Sequence, residues 1–175
     1  NVIFAEDKQM ERELLLDAIQ EKFNPTALNY AVNTKLNDSI YDLEFISYKG
    51  SFEIVENLGG LSFKISPKSF FQTNTKQDEK LYQVALDFAD IKPTDVVYDL
   101  YCGTGTITCL AAAQANKAIG VEIIPEAIVA ANENAKLNNI DNTHFVVGDM
   151  KDVFNADFYT KHGKPDLIIT DPPRA

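Results

Sequence analysis

Between Val96 and Thr106 the chain reads VVYDLYCGTGT: an apolar run carrying Asp99, a loop of small residues with Gly103 and Gly105, then the start of a helical pattern. A strand, a glycine loop and a helix in that order form the cradle of a nucleotide-type ligand. Glycine lets the backbone approach without a Cβ in the way, and the first amides of the helix are free. Asp99, four residues before Gly103, bears on the ligand's charge. It would repel a pyrophosphate, and a dinucleotide fingerprint also wants glycine where Thr108 stands. A cationic ligand is favoured instead, through charge-assisted hydrogen bonds. S-adenosylmethionine has a sulfonium, an ammonium group and no phosphate, and it meets that demand.

Three further acids repeat the placement. Glu122 ends the apolar run KAIGVE, roughly 20 residues past the loop, where a carboxylate can accept both hydroxyls of a ribose. Asp149 follows HFVVG, and Asp171 follows DLIIT. Ligands of open α/β sheets sit in the crevice at the carboxyl ends of the strands, so four such acids at one edge define a candidate cofactor site. Taken singly, each could be a helix cap or turn former, and Asp149 is the one for which that reading competes most directly.

The elements that must carry these residues follow from periodicity. Strands over 95–100, 117–122, 143–147 and 166–170 alternate with helices over 105–115 and 125–137, and a helix from about Thr75 to Ala89 precedes them. Such alternation means a parallel, doubly wound sheet. Ahead of it, Met10, Leu14, Leu15, Ala18, Ile19 and Phe23 recur at helical spacing between Gln9 and Phe23, predicting an amphipathic helix with that face toward the core and a stop at Asn24-Pro25. From Ala27 to Ile65, four short runs (ALNYAVNT, YDLEFISY, SFEIVE and LSFKIS) predict a small antiparallel sheet, with a turn at Asn57-Leu58-Gly59-Gly60. Ser66-Pro67 marks the division. Residues 1–66 are expected to form a helix plus small sheet, and residues 67–175 the N-terminal part of a Rossmann-like domain incomplete at its C-terminus, at least three strands short. With a first residue other than Met, the chain reads as part of a longer protein.

Composition narrows the classes. The apolar fraction of 45% is that of a soluble globular chain, and no apolar run is long enough to span a membrane. Cys102 and Cys109 lack metal-ligand spacing and read as a reduced pair in a cytoplasmic protein. The net charge of −10 is the reverse of a nucleic-acid footprint, and Arg12 and Arg174 are the only arginines. RNA contacts, if present, are therefore expected in other parts of the protein. His144 and His162 read as surface or strand residues.

FFQTN, DLYCGTGT, GVE, GDM and DPPRA, in this order, resemble the RNA 5-methyluridine methyltransferases, the RumA/TrmA-like family that methylates uracil C5 in 23S rRNA or tRNA. The resemblance covers Lys64 to Ala175 and, with less motif content, the segment before it. It implies that Gln72, Tyr101, Thr106, Glu122 and Asp171 contact S-adenosylmethionine, with Thr106 standing where some relatives have asparagine. Asp149 is similar in placement to an acid that meets the adenine. Together with Asp99, Gly103 and Gly105 of the loop, these are the cofactor-site candidates. For Gln72 the competing role is capping the helix at Thr75, for which Asn74 is the better candidate.

The resemblance also implies a cysteine that attacks uracil C6 and a carboxylate base that removes the C5 proton. Both lie beyond the DPPR motif in such enzymes, so no catalytic residue is expected in this chain, which alone should be inactive. Cys102 is a loop residue with no basic partner to lower its pKa. The expected substrate is RNA, ribosomal RNA ahead of tRNA. No metal is expected here; an iron–sulfur site, which many relatives carry, would belong elsewhere in the protein. Competing readings are a methyltransferase acting on an exocyclic or amide nitrogen, a non-catalytic scaffold of the same fold and, more remotely, an NAD-dependent dehydrogenase. Arg174 following Pro172-Pro173, where base-stacking amine methyltransferases carry an aromatic, speaks against the first.

Overall fold

The computed structural model describes residues 1–172 other than 38, 41 and 73, and the chain divides into two units, Asn1–Val55 with Ile65–Lys68, and Glu56–Lys64 with Ser69 onward. Pro173 and Arg174 of the DPPR motif and Thr73 of FFQTN lie outside the described residues.

In the first unit, β1 (Val2–Phe4), β2 (Ala27–Val32) and β3 (Ile46–Gly50) form one sheet in that order, with helix α1 (Gln9–Phe23) between β1 and β2 in sequence. β1 runs parallel to β2, pairing Val2 with Tyr30, and β3 runs antiparallel to it. The single antiparallel sheet expected over 27–65 is therefore not what forms. Its last two runs instead make a separate pair, β4 (Ile54–Leu58) and β5 (Leu61–Ile65). The connecting Gly59 and Gly60 both have positive φ, as a two-residue hairpin turn of the primed type requires.

α1 has the expected bounds but turns a different face inward. Leu16 is its buried residue, while Met10, Leu14 and Phe23 are 82%, 74% and 67% exposed. The helix is phased by polar contacts that a hydrophobicity pattern does not register. The Arg12 guanidinium stacks 4.8 Å from the Tyr30 ring, and the Tyr48 hydroxyl donates to Asp17 at 2.9 Å. Arg12, Leu16 and Ile19 thus form the inward stripe.

The second unit contains α2 (Thr75–Ala89), β6 (Val96–Leu100), α3 (Thr106–Ala112), β7 (Lys117–Glu122), α4 (Pro125–Leu137), β8 (Thr143–Val147), α5 (Ala156–His162) and β9 (Leu167–Thr170). The four strands form a parallel sheet of order β8-β7-β6-β9, in register from Val97 against Ala118 and Leu167 through Leu100 against Val121 and Thr170. Neighbouring residues of β6 serve opposite faces, as the pleat dictates. Val97 packs with Leu58, Phe63, Leu86, Cys109 and Leu110, whereas Tyr98 packs with Ile119, Val121 and Phe158. Burial on both faces explains why the central strands β6 and β7 are mostly apolar. Their helices begin where the chain supplies caps: Asn74 accepts from the Gln77 amide, Pro125 opens α4, and Asn155 accepts from the Phe158 amide. This is the Rossmann-like α/β arrangement that the alternation predicts.

Asn134 of α4 and Asn138, the residue that caps its C-terminus, attach the hairpin to this domain. Asn138 accepts from the Ser62 amide at 2.8 Å and donates to the Ser62 carbonyl at 2.7 Å. Asn134, fully buried, accepts from the Lys64 amide at 2.8 Å and donates to the Thr104 carbonyl at 3.1 Å. One side chain thereby links β5 to the glycine loop.

Candidate functional site

The carboxyl ends of β6 and β9 and the start of α3 open onto a cleft. Its walls include Phe71, Gln72, Tyr82, Asp99, Tyr101, Gly103, Thr106 and Asp171. Seven of the residues singled out from sequence sit here or directly behind it: Gln72, Asp99, Tyr101, Gly103, Thr106 and Asp171 line the cleft, and Glu122 supports its loop. Because Asn74 caps α2, Gln72 does not have that role.

The loop is shaped by backbone conformations that sequence alone marks only at the glycines. Tyr101, Gly103 and Gly105 all have positive φ, at 63°, 52° and 79°. A tyrosine held in the left-handed region is uncommon, and such strain concentrates at ligand sites. The two glycines have different reasons to be glycine. A Cβ on Gly103 would meet nothing within 4 Å, so this glycine leaves the cleft side of the loop open. A Cβ on Gly105 would come within 2.9 Å of Phe145 and of the Ala131 Cβ, so this one permits helix–strand packing. Gly105 therefore has a packing reason to be glycine, while its neighbours Thr104 and Thr106 line the cleft.

Asp99 is 1% exposed at the floor, where its Oδ2 accepts a 2.5 Å hydrogen bond from the Thr108 hydroxyl. Burial pushes its carboxyl up to about 7. The Thr108 hydrogen bond opposes the rise, and the charges of Asp171 and Glu122 add to it. Thr108, where a dinucleotide fingerprint has glycine, therefore holds the acid in place through its hydroxyl.

Glu122 faces the loop rather than the open cleft. Its Oε2 accepts from the Gly103 amide at 3.1 Å, and its Oε1 accepts from the Ile123 and Ile124 amides at 2.8 and 3.0 Å. With three amides on one buried carboxylate, Glu122 sets the height of the loop whatever else it binds. Asp149 is not among the residues that line this cleft. It turns the chain after β8, its Oδ1 accepting from the Lys151 amide at 2.9 Å and its carbonyl from Asp152 and Val153. Asp149 thus forms a turn, as its residue type favours.

Cys102 is buried beside Gly120, its Sγ directed at the Gly103 carbonyl at 3.8 Å, and burial with the charges of Asp99 and Glu122 raises its pKa strongly. A thiol kept protonated in this way is a packing group. Tyr82 of α2, with Thr104 and Ile107, is a cleft residue that sequence reasoning missed; it follows Leu81 inside an ordinary helical pattern.

Residues 91–173 match the family described as "Methyltransferase domain". Among curated proteins, the chain is 50% identical over 175 residues to an "Uncharacterized RNA methyltransferase" of Porphyromonas gingivalis, and 48% identical over 172 residues to one of Bacteroides thetaiotaomicron. It spans 38% of the length of each, and 99% and 97% of the chain is covered. Among solved structures, it is similar to the Pyrococcus abyssi tRNA (uracil-54, C5)-methyltransferase in complex with S-adenosyl-L-homocysteine. The TM-score is 0.69 with 28% identity, covering 89% of this chain and 36% of that one. The second unit is thus a Rossmann-like methyltransferase fold, with the candidate residues at the carboxyl edge of its sheet.

Proposed function

We propose that this chain is the cofactor-binding part of an S-adenosylmethionine-dependent RNA methyltransferase that modifies uracil at C5, with ribosomal RNA the first-choice substrate and tRNA the second. The carrying observation is a cleft whose floor and rim are the carboxylates Asp99 and Asp171, beside a loop left unobstructed at Gly103. It suits a ligand that is cationic and lacks phosphate. The resemblance of FFQTN, DLYCGTGT and DPPRA supports uracil C5, as does 28% identity to a protein named for that reaction. The free, buried Cys102 and Cys109 are consistent with a reducing, cytoplasmic setting.

When bound, the cofactor supplies an electrophilic methyl group on a sulfonium. Asp171, and Asp99 once it ionises above about pH 7, offer negative charge to its cationic groups, and Gln72 and Tyr101 offer polar contacts from the walls. Glu122 holds the Gly103 amide in place and retains acceptor capacity for hydroxyls. No described residue is assigned as nucleophile or base.

The test uses the full-length protein with S-adenosylmethionine and ribosomal RNA or tRNA containing 5-fluorouridine. Fluorine at C5 cannot leave as a proton, so attack by an enzyme cysteine at C6 leaves a covalent protein–RNA band on a denaturing gel. The RNA that is trapped names the substrate. Methyl transfer to unsubstituted RNA with no trapped band would overturn the uracil-C5 reading, and absence of transfer to either RNA would overturn the RNA assignment.

A further inference from the structure

Tyr82 of α2 lines the cleft together with Asp99, Asp171 and Gly103 of the glycine loop. Its ring is half-buried, and among the described residues its hydroxyl has no hydrogen-bond partner. Three carboxylates bear on it: Asp78, one turn earlier on the same helix, together with Asp171 and Asp99. One oxygen of Asp78 is itself buried without a partner. Burial and these charges push the Tyr82 phenol up to about 12, so it keeps its proton and remains a neutral donor.

A donor with no partner, facing a cleft walled by acids, suits a ligand that is not purely cationic. S-adenosylmethionine answers the acids with its sulfonium and ammonium groups, but its amino-acid end also carries a carboxylate, which Asp171 repels, as does Asp99 in its ionised form. That carboxylate needs an uncharged or cationic donor on the same wall, and among the described residues no lysine, arginine or histidine lines the cleft. That leaves neutral groups, among them the hydroxyls of Thr104, Thr106 and Tyr82; Tyr82 differs from the two threonines in coming from α2, outside the glycine loop, at the end of a longer side chain. We propose that Tyr82 is a further ligand-binding residue of this site, its hydroxyl donating to the carboxylate of the ligand's amino-acid end. The inference rests on the reading that the cleft holds S-adenosylmethionine.

The test is calorimetric titration of the full-length protein and its Y82F variant with S-adenosylhomocysteine and with 5′-methylthioadenosine. The second ligand keeps the adenosine and the thioether but lacks the amino-acid end. Tyr82→Phe removes one oxygen and keeps the ring. It is expected to weaken S-adenosylhomocysteine binding about tenfold, the scale of a hydrogen bond to a charged group, and to leave methylthioadenosine within about twofold, which also reports that the variant is folded. Equal weakening of both ligands, or of neither, overturns the assignment to Tyr82 while leaving the cofactor reading in place. A wild-type protein that binds neither ligand overturns the cofactor reading and this inference with it.

Discussion

Thr108 donates its hydroxyl hydrogen to Asp99 over 2.5 Å, with both side chains buried. The bond joins the first turn of the helix after the glycine loop to the strand that precedes the loop, and it offsets part of the hydration Asp99 loses. The carboxyl nevertheless rises to about 7, because one threonine does not replace a shell of water.

The pH dependence of folding follows from that rise. Between about pH 4 and 7 the unfolded chain has released the Asp99 proton while the folded chain still holds it, so stability falls as pH increases through this window and levels off above it. Asp99→Asn removes the titration. Relative to wild type, the variant should be more stable at pH 8 than at pH 5, measured as the difference in urea unfolding free energies. A difference that does not change with pH would mean that Asp99 is not held protonated.

Removing the donor is the complementary change. Thr108→Val keeps the shape but leaves the carboxylate without its hydroxyl, and it should cost about 1 to 3 kcal/mol in unfolding free energy at pH 8. The loss should shrink at pH 5, where a protonated carboxyl demands less of its partner.

The two loop glycines separate packing from ligand access. Gly105→Ala adds a Cβ within 2.9 Å of Phe145 and Ala131 at a φ of 79°, and should cost about 2 kcal/mol or more in thermal or urea unfolding. Gly103→Ala meets open space, so its cost is the left-handed backbone alone, about 1 to 2 kcal/mol. The Gly103 variant should instead show the larger relative loss in S-adenosylhomocysteine affinity. Equal losses of affinity per unit of lost stability would refute this division.

Glu122 should act on the loop through its amides. Glu122→Gln replaces one acceptor oxygen with a donor that cannot serve the Gly103 or Ile123 amide, so amide hydrogen exchange at Gly103 and Thr104 should accelerate by about tenfold. Exchange in β9, which β6 separates from β7 and its Glu122, should be unchanged. Unaltered exchange at Gly103 would show that the loop holds its shape without Glu122.

Much of the second unit is legible in the sequence because its signals are strong and local. Continuous apolar runs mark β6 through β9, Asn74 and Pro125 mark helix starts, and the acids mark the ligand edge. The misses have physical causes. β1 is three residues long and has no period to detect. The face of α1 is chosen by Arg12 on Tyr30 and Asp17 with Tyr48, contacts between residues far apart in sequence. The stretch after Asp149 has no clear periodicity, and α5 begins there at an Asn155 cap. Asn134 and Asn138 read as the polar face of a helix, although their spacing of four residues is the available clue to a shared target. Tyr82 carries no local mark, since its neighbours Asp78, Asp99 and Asp171 converge only after the sheet has formed.

The grip of those asparagines on β5 also governs which other chains this domain can meet. Ser62 and Lys64, two residues apart, direct their amides to the edge of β5 that β4 does not cover, and side chains of α4 and its cap occupy both. A strand that ends a two-stranded ribbon ordinarily offers such groups to any extended peptide it encounters. Here the offer is withdrawn from within, by a helix of the same domain, which protects the hairpin against edge-to-edge self-association without a single added charge.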